Sequence, residues 1–224
     1  MAEQDVETVI CERVKLAILQ GRLPPTAKLS EELLAETLGA NRAKVRSALH
    51  RLSFEGLVEL KRNRGAFISS PTLQDTKAVF VARRVVERAT TEIVTRTILT
   101  TQLNSLKKEL ESWEREWMHG QRQRTIEGIS SFHRSLAALA HNRPLAEALE
   151  RLVLQTSLIL GLYATSMTFS SAAVEYHRLL ALIEAGESLA AAKAMDRCLH
   201  VIEHALDMRP APIREVDIRL VFRH

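Results

Sequence analysis

Apolar residues recur along the first fifty positions at helical spacing, interrupted where turn formers cluster. Val6, Val9, Ile10, Val14, Ile18 and Leu19 form one stripe, which predicts a helix ending at Gly21. Leu23-Pro24-Pro25 enforces an extended connector, because proline disfavours helix in the residue before it. Ser30 is a good N-cap, followed by Glu31 and Glu32 at the positive end of the helix dipole. Leu33, Leu34, Ala35 and Leu38 supply that helix's buried face, and Gly39 stops it. Asn41 caps the next helix, where Val45, Ala48, Leu49 and Leu52 point inward. Two short strands are predicted at 57–60 and 66–69, joined by a turn in which Asn63 and Gly65 tolerate positive φ. Helix, tight turn, helix and hairpin together make a winged helix-turn-helix pattern.

Ser69-Ser70-Pro71-Thr72 reads as a boundary. Beyond it the stripes predict helices near 73–98, 102–118, 122–140, 144–166, 170–185 and 188–208, an antiparallel bundle. From 210 the pattern changes: Val216, Ile218, Leu220 and Phe222 alternate with Asp217, Arg219, Val221 and Arg223. This period of two predicts a docked strand, or a loose tail. The expected fold is mainly α, with a DNA-binding domain at 1–70, a helical domain at 71–209 and a tail at 210–224.

Charge sharpens the first domain. Between Ala40 and Ala66 there are seven basic residues (Arg42, Lys44, Arg46, Arg51, Lys61, Arg62, Arg64) against two acids, a local +5 in a chain of net charge +4. Arg42 and Arg46, four apart, share the outer face of the second helix, and Arg62 and Arg64 sit at the hairpin tip. Such an island suits a nucleic-acid backbone and groove. Cys11 and Cys198 lack any paired spacing, so a reducing compartment, the cytoplasm, is expected. The N-terminus has no basic region leading into an apolar one, so no signal peptide is expected. The most apolar run, 152–167, is broken by Gln155, Thr156, Ser157 and Thr165 and is too short and polar to span a bilayer.

The stretch LSEELLAETLGANRAKVRSALHRLSFEGLVELKRNRGAFI resembles the winged-helix domain of GntR-family bacterial transcription regulators. ARRVVERA at 82–89, SSFHRSLAALAHNRPLAEAL at 130–149 and EYHRLLALIEAGESLAAAKAMDRCL at 175–199 resemble the FCD effector domain of the FadR-type branch. The resemblance implies a homodimer on a near-palindromic double-stranded operator, controlled by a small-molecule effector. It assigns DNA contacts to Arg42 and Arg46 and to Arg64 and Gly65 of the wing, with Lys44 and Arg62 beside them. Two departures stand out in the reader. Lys44 occupies a usual proline position, and Glu32 stands where many relatives carry a DNA-touching arginine.

The helical half departs further. Many FCD domains hold a divalent metal with one Asp and three His. Here the Asp column falls on Ile129, the first His is His133, and the third falls on Cys198. The second falls on Tyr176 in a gapless register, or on His177 after one deletion. The gapless register is preferred, because a deletion inside a helix rotates everything before it by about 100°. The resemblance thus places the effector among Arg83, His133, Tyr176 and Cys198. No metal is favoured, and His133, His177 and Cys198 are the alternative zinc-like set. Arg83 could pair with an acidic effector, a carboxylate in particular, or simply with Glu87 at the surface. His200 and His204, flanking Glu203, could chelate or form a solvated helix face.

The function expected is a ligand-responsive transcription regulator without enzymatic turnover. The alternatives are a metal-dependent enzyme or metal sensor in the helical half, and a non-specific architectural DNA binder.

Overall fold

The computed structural model describes residues 5–208 and 216–222. They form two compact units, one holding the chain up to Ser70 together with the described tail, the other running from Pro71.

In the first unit α1 (Val6–Leu19) buries Ile10, Cys11, Val14, Ala17, Ile18 and Leu19, so Cys11 is part of the helical stripe. The side chain of Ser30 caps α2 (Glu31–Leu38), accepting from the Leu33 N–H at 3.3 Å. Gly39 closes α2 in the left-handed conformation, at φ 62°. Asn41 caps α3 (Arg42–Phe54) by accepting from the Lys44 N–H at 2.8 Å. Val45, Ala48, Leu49 and Leu52 are buried, which turns Arg42, Lys44 and Arg46 outward.

A two-residue strand β1 (Lys28–Leu29) pairs antiparallel with β3 (Gly65–Ile68), which also pairs with β2 (Val58–Lys61). The sheet order is β1-β3-β2, so the hairpin gains a third strand that no alternation in the sequence announced. Asn63 (φ 59°) and Gly65 (φ 95°) take the positive φ that the turn needs.

The second unit comprises α4 (Leu73–Thr97), α5 (Thr100–Met118), α6 (Arg122–Leu139), α7 (Arg143–Tyr163), α8 (Ser166–Glu184) and α9 (Ser188–His204). Thr72 and Asp75 form a reciprocal capping box at the start of α4. α8 begins four residues before the expected 170, because the break falls at Ala164-Thr165, where Thr168 accepts from the Thr165 N–H. Phe80, Trp113, Phe132, Ile159, Tyr176 and Met195 sit in one shared core. At Gly128 a Cβ would lie 2.5 Å from the Trp113 Cβ, so α5 and α6 approach at a distance only glycine permits.

The tail is a correction. Residues 218–222 form a short helix, α10 (Ile218–Phe222), and not a strand. Its buried residues are Ile218, Val221 and Phe222, spaced as on one helix face, while Leu220 is exposed. Over five positions a period of two and a helical period share Ile218 and Phe222, and only Leu220 against Val221 separates them. α10 packs on α2 and α1; the Arg22 side chain donates to the Val221 carbonyl, and Arg219 pairs with Glu36 at 3.2 Å.

Candidate functional site

Two sites emerge, one on each unit. On the reader, the N-terminal end of α3 projects its cations into solvent, yet each faces an acid of the same unit. Arg46 grips Glu31 with two donors, Nε at 3.1 Å and Nη2 at 2.8 Å. Arg42 pairs with Glu32, and Lys44 Nζ lies 3.0 Å from Asp5 Oδ1. Ser47 Oγ donates to Glu7 at 2.5 Å. Hydrogen bonds from Arg46 and Lys44 hold the Glu31 and Asp5 carboxyls below their ordinary range. By sequence position Glu31 and Glu32 are helix-start acids; in the structure they also pair with the basic face of α3 fifteen and ten positions on. At the wing, Arg62 and Arg64 are exposed and make no ion pair among the described residues, whereas Lys61 pairs with Glu59 at 3.1 Å. Gly65 is exposed beside them.

In the helical unit Arg83, Glu87, His133 and Tyr176 form an unbroken buried chain. Arg83 (2% exposed) and Glu87 (1%) lie one turn apart on α4, and Arg83 Nε donates to Glu87 Oε1 at 2.6 Å. The other Glu87 oxygen accepts from His133 Nδ1. His133 Nε2, the remaining ring nitrogen, lies 2.5 Å from the Tyr176 hydroxyl and accepts its hydrogen. This pattern requires neutral imidazole with its hydrogen on Nδ1. Burial pushes the His133 pKa down, in agreement with that state. Burial pushes the Glu87 carboxyl up, but Arg83 and His133 outweigh it and hold it below the usual carboxylate range. Burial likewise raises the Tyr176 phenol and the Cys198 thiol, with the Glu175 and Glu87 charges adding to the effect on the thiol.

Of the expected residues, the structure bonds His133 to Tyr176 directly, joins Arg83 to them through Glu87, and buries Cys198 in the same core. Glu87 is the missed member. An Arg-Glu pair four apart reads in sequence as a surface ion pair, and only its burial makes it the hub. The set of His133, His177 and Cys198 is not assembled. His177, next to inward-facing Tyr176 on α8, is 60% exposed and bonded to Glu114.

The residues in the FCD metal position do not fit a divalent cation. Ile129 offers no donor, both nitrogens of His133 are engaged by Glu87 and Tyr176, and a guanidinium already neutralises Glu87.

Comparison with known proteins agrees with both units. Residues 7–68 match the family model "Bacterial regulatory proteins, gntR family", and residues 78–201 match the FCD domain model. The HTH-type transcriptional regulator YdhC of Bacillus subtilis is 29% identical over 139 residues, a match that spans 62% of each chain and so less than two thirds of that relative. A protein named "Probable D-xylose utilization operon transcriptional repressor" from Paenarthrobacter nicotinovorans is 23% identical over 81% of this chain and 80% of its own. Among solved structures, Escherichia coli McbR/YncC superposes with a TM-score of 0.76 at 20% identity, covering 91% of this chain and 95% of that one, a likeness of fold. No helix among the described residues is long and apolar enough to cross a membrane. With the reader and the helical unit both matched, the chain belongs to the GntR family of bacterial transcription regulators, in the branch that carries a C-terminal FCD domain.

Proposed function

We propose that the chain acts as a homodimer on a near-palindromic operator, and that a small effector held by Arg83, His133, Tyr176 and Cys198 changes its affinity for DNA. Arg42 and Arg46 read the groove, Lys44 takes a phosphate, and Arg62, Arg64 and Gly65 form the wing contact.

The observation that carries the effector reading is a set of buried hydrogen-bond donors without acceptors. Arg83 Nη2, Thr91 Oγ1 and Trp113 Nε1 are buried with no partner among the described residues. Thr91 lies one turn beyond Glu87 on α4, and the Trp113 ring is 5.6 Å from that of Tyr176. Leaving such a group unsatisfied costs about 1–3 kcal/mol each. All three have hydrogens to give, so the guest that suits them is rich in acceptors. A small carboxylate meets that need, gripped by the Arg83 guanidinium where relatives use a metal.

A thermal-shift screen of small carboxylates tests this, with hits retested for release of operator DNA. The expected hit raises Tm, weakens or strengthens operator binding, and loses both effects in Arg83→Lys, which keeps charge but not the planar fork. Carboxylates that change neither Tm nor DNA affinity overturn the reading. On the reader, Arg42→Ala or Arg46→Ala is expected to cost about 1–3 kcal/mol of specific binding where the residue reads a base. Equal affinity for operator and random DNA at moderate salt would sink the operator reading.

A further inference from the structure

We propose that the exposed C-terminal turn of α9 is a divalent transition-metal site made by His200, Glu203 and His204, separate from the core chain around His133. The three residues lie three and four apart, on neighbouring rows of one helix face. Their nearest ligand atoms all fall within 4.8 Å of one another. A zinc-like ion with bonds of about 2.0–2.1 Å needs ligand atoms about 3.3 Å apart, a contraction that small rotations of the two exposed imidazoles supply toward the half-buried Glu203. The imidazole rings already sit close, 3.9 Å between centroids and tilted by 36°.

Two further contacts bear on the site, one favouring it and one opposing it. His204 Nδ1 donates to the carbonyl of His200 at 2.9 Å, which fixes the tautomer and leaves the Nε2 lone pair for a metal. The Glu203 carboxylate is held from α4 by Arg84, at 2.5 Å. An imidazole oriented by a backbone carbonyl is the kind of outer contact that a metal ligand needs, whereas the Arg84 pair occupies an oxygen that a metal would take. Two imidazoles and one carboxylate suit zinc, nickel or cobalt and do not suit magnesium or calcium, which want an all-oxygen shell. Water completes the coordination.

The site has a consequence for the unit that holds it. A metal and Arg84 compete for Glu203, and Arg84 follows Arg83, the end of the buried chain. Occupancy therefore draws Glu203 away from α4 and gives the helical unit a second input, independent of whatever binds in the core.

The test is calorimetric titration of the untagged full-length chain, freed of metal with a chelator, with zinc and, in parallel, with magnesium. One equivalent of zinc per chain is expected, with no saturable magnesium binding. Zinc binding is lost in His200→Ala and in His204→Ala, both exposed positions, and kept in His177→Ala, a surface histidine outside the site. Arg84→Ala is expected to tighten zinc several-fold, because Glu203 is freed, a gain that a merely structural arginine would not give. Zinc binding that survives the double His200→Ala/His204→Ala variant, or no saturable binding at all, overturns the site. Unchanged or weaker binding in Arg84→Ala overturns the competition.

Discussion

The two units use the same chemistry, arginine against carboxylate, to opposite ends. On the reader, Arg42 and Arg46 meet Glu32 and Glu31 in the open, with both arginine side chains more than half exposed. Such pairs contribute little to stability, about 0–1 kcal/mol each, and salt screens them. They are easily exchanged for phosphate. In the helical unit Arg83 and Glu87 are sealed from solvent, and His133, itself bonded to Tyr176, takes the second Glu87 oxygen. There the pair is costly to break, because either partner alone is a buried uncompensated charge. Exposure therefore decides which ion pairs hold the fold and which stand ready to be replaced by a ligand.

The largest effect should come from breaking the sealed pair. Glu87→Ala strands Arg83 and removes the acceptor of His133, and is expected to cost about 3–5 kcal/mol in denaturant unfolding of the full chain. A loss no larger than that of Glu31→Ala, measured in parallel, would show that the core pair is no more constrained than the surface one. Next comes Gly128→Ala, whose new methyl meets the Trp113 Cβ, an atom that cannot swing aside. A cost of about 1–3 kcal/mol is expected. Gly161→Ala, where a Cβ meets nothing within 4 Å, serves as the control and should be neutral or slightly stabilising.

A smaller effect follows from protonation. The folded pKa of His133 lies below the ordinary imidazole value of about 6.5, so the unfolded chain binds that proton more readily. The stability linked to it is complete above that value and falls as pH drops toward the folded pKa. Glu87, also lowered, adds a loss of the same sign at more acid pH, below the ordinary carboxyl value. Tm measured downward from neutral pH should fall, and His133→Gln should flatten the first part of that fall. An identical slope in wild type and variant would place the sensitive group elsewhere.

Much of the fold was legible because it is local. The caps at Ser30 and Asn41, the stripe of α3 and the positive-φ turn of the wing are each set by residues within four or five positions. What escaped was set across distance. β1 is two residues long and exists only because β3 offers it a partner. The tail helix was ambiguous over five residues and was decided by its packing on α2 and α1. At the core site the gapless register pointed to Tyr176, whereas Glu87 was undervalued because its 46-residue separation from His133 carries no periodic signal. The acids that cover α3 were hidden in the same way. Glu31 meets Arg46 fifteen positions on, and Asp5 meets Lys44 after thirty-nine.

Those acids give the smallest and most discriminating expectation. If they only satisfied surface charge, neutralising them would leave DNA binding as it is. If they occupy the donors that phosphates and bases must take, each neutralisation removes a competitor. Glu31→Gln with Glu32→Gln is therefore expected to tighten binding by up to about 1 kcal/mol per pair. The gain should be greater on random DNA than on the operator, since backbone contacts serve every sequence while base contacts serve one. It should also shrink as salt rises, because both the pairs and the phosphate contacts are screened. Fluorescence anisotropy with operator and random duplexes across a salt series separates the cases. A gain confined to the operator would assign the two glutamates to base readout, and no gain at low salt would return them to the role of helix-start acids.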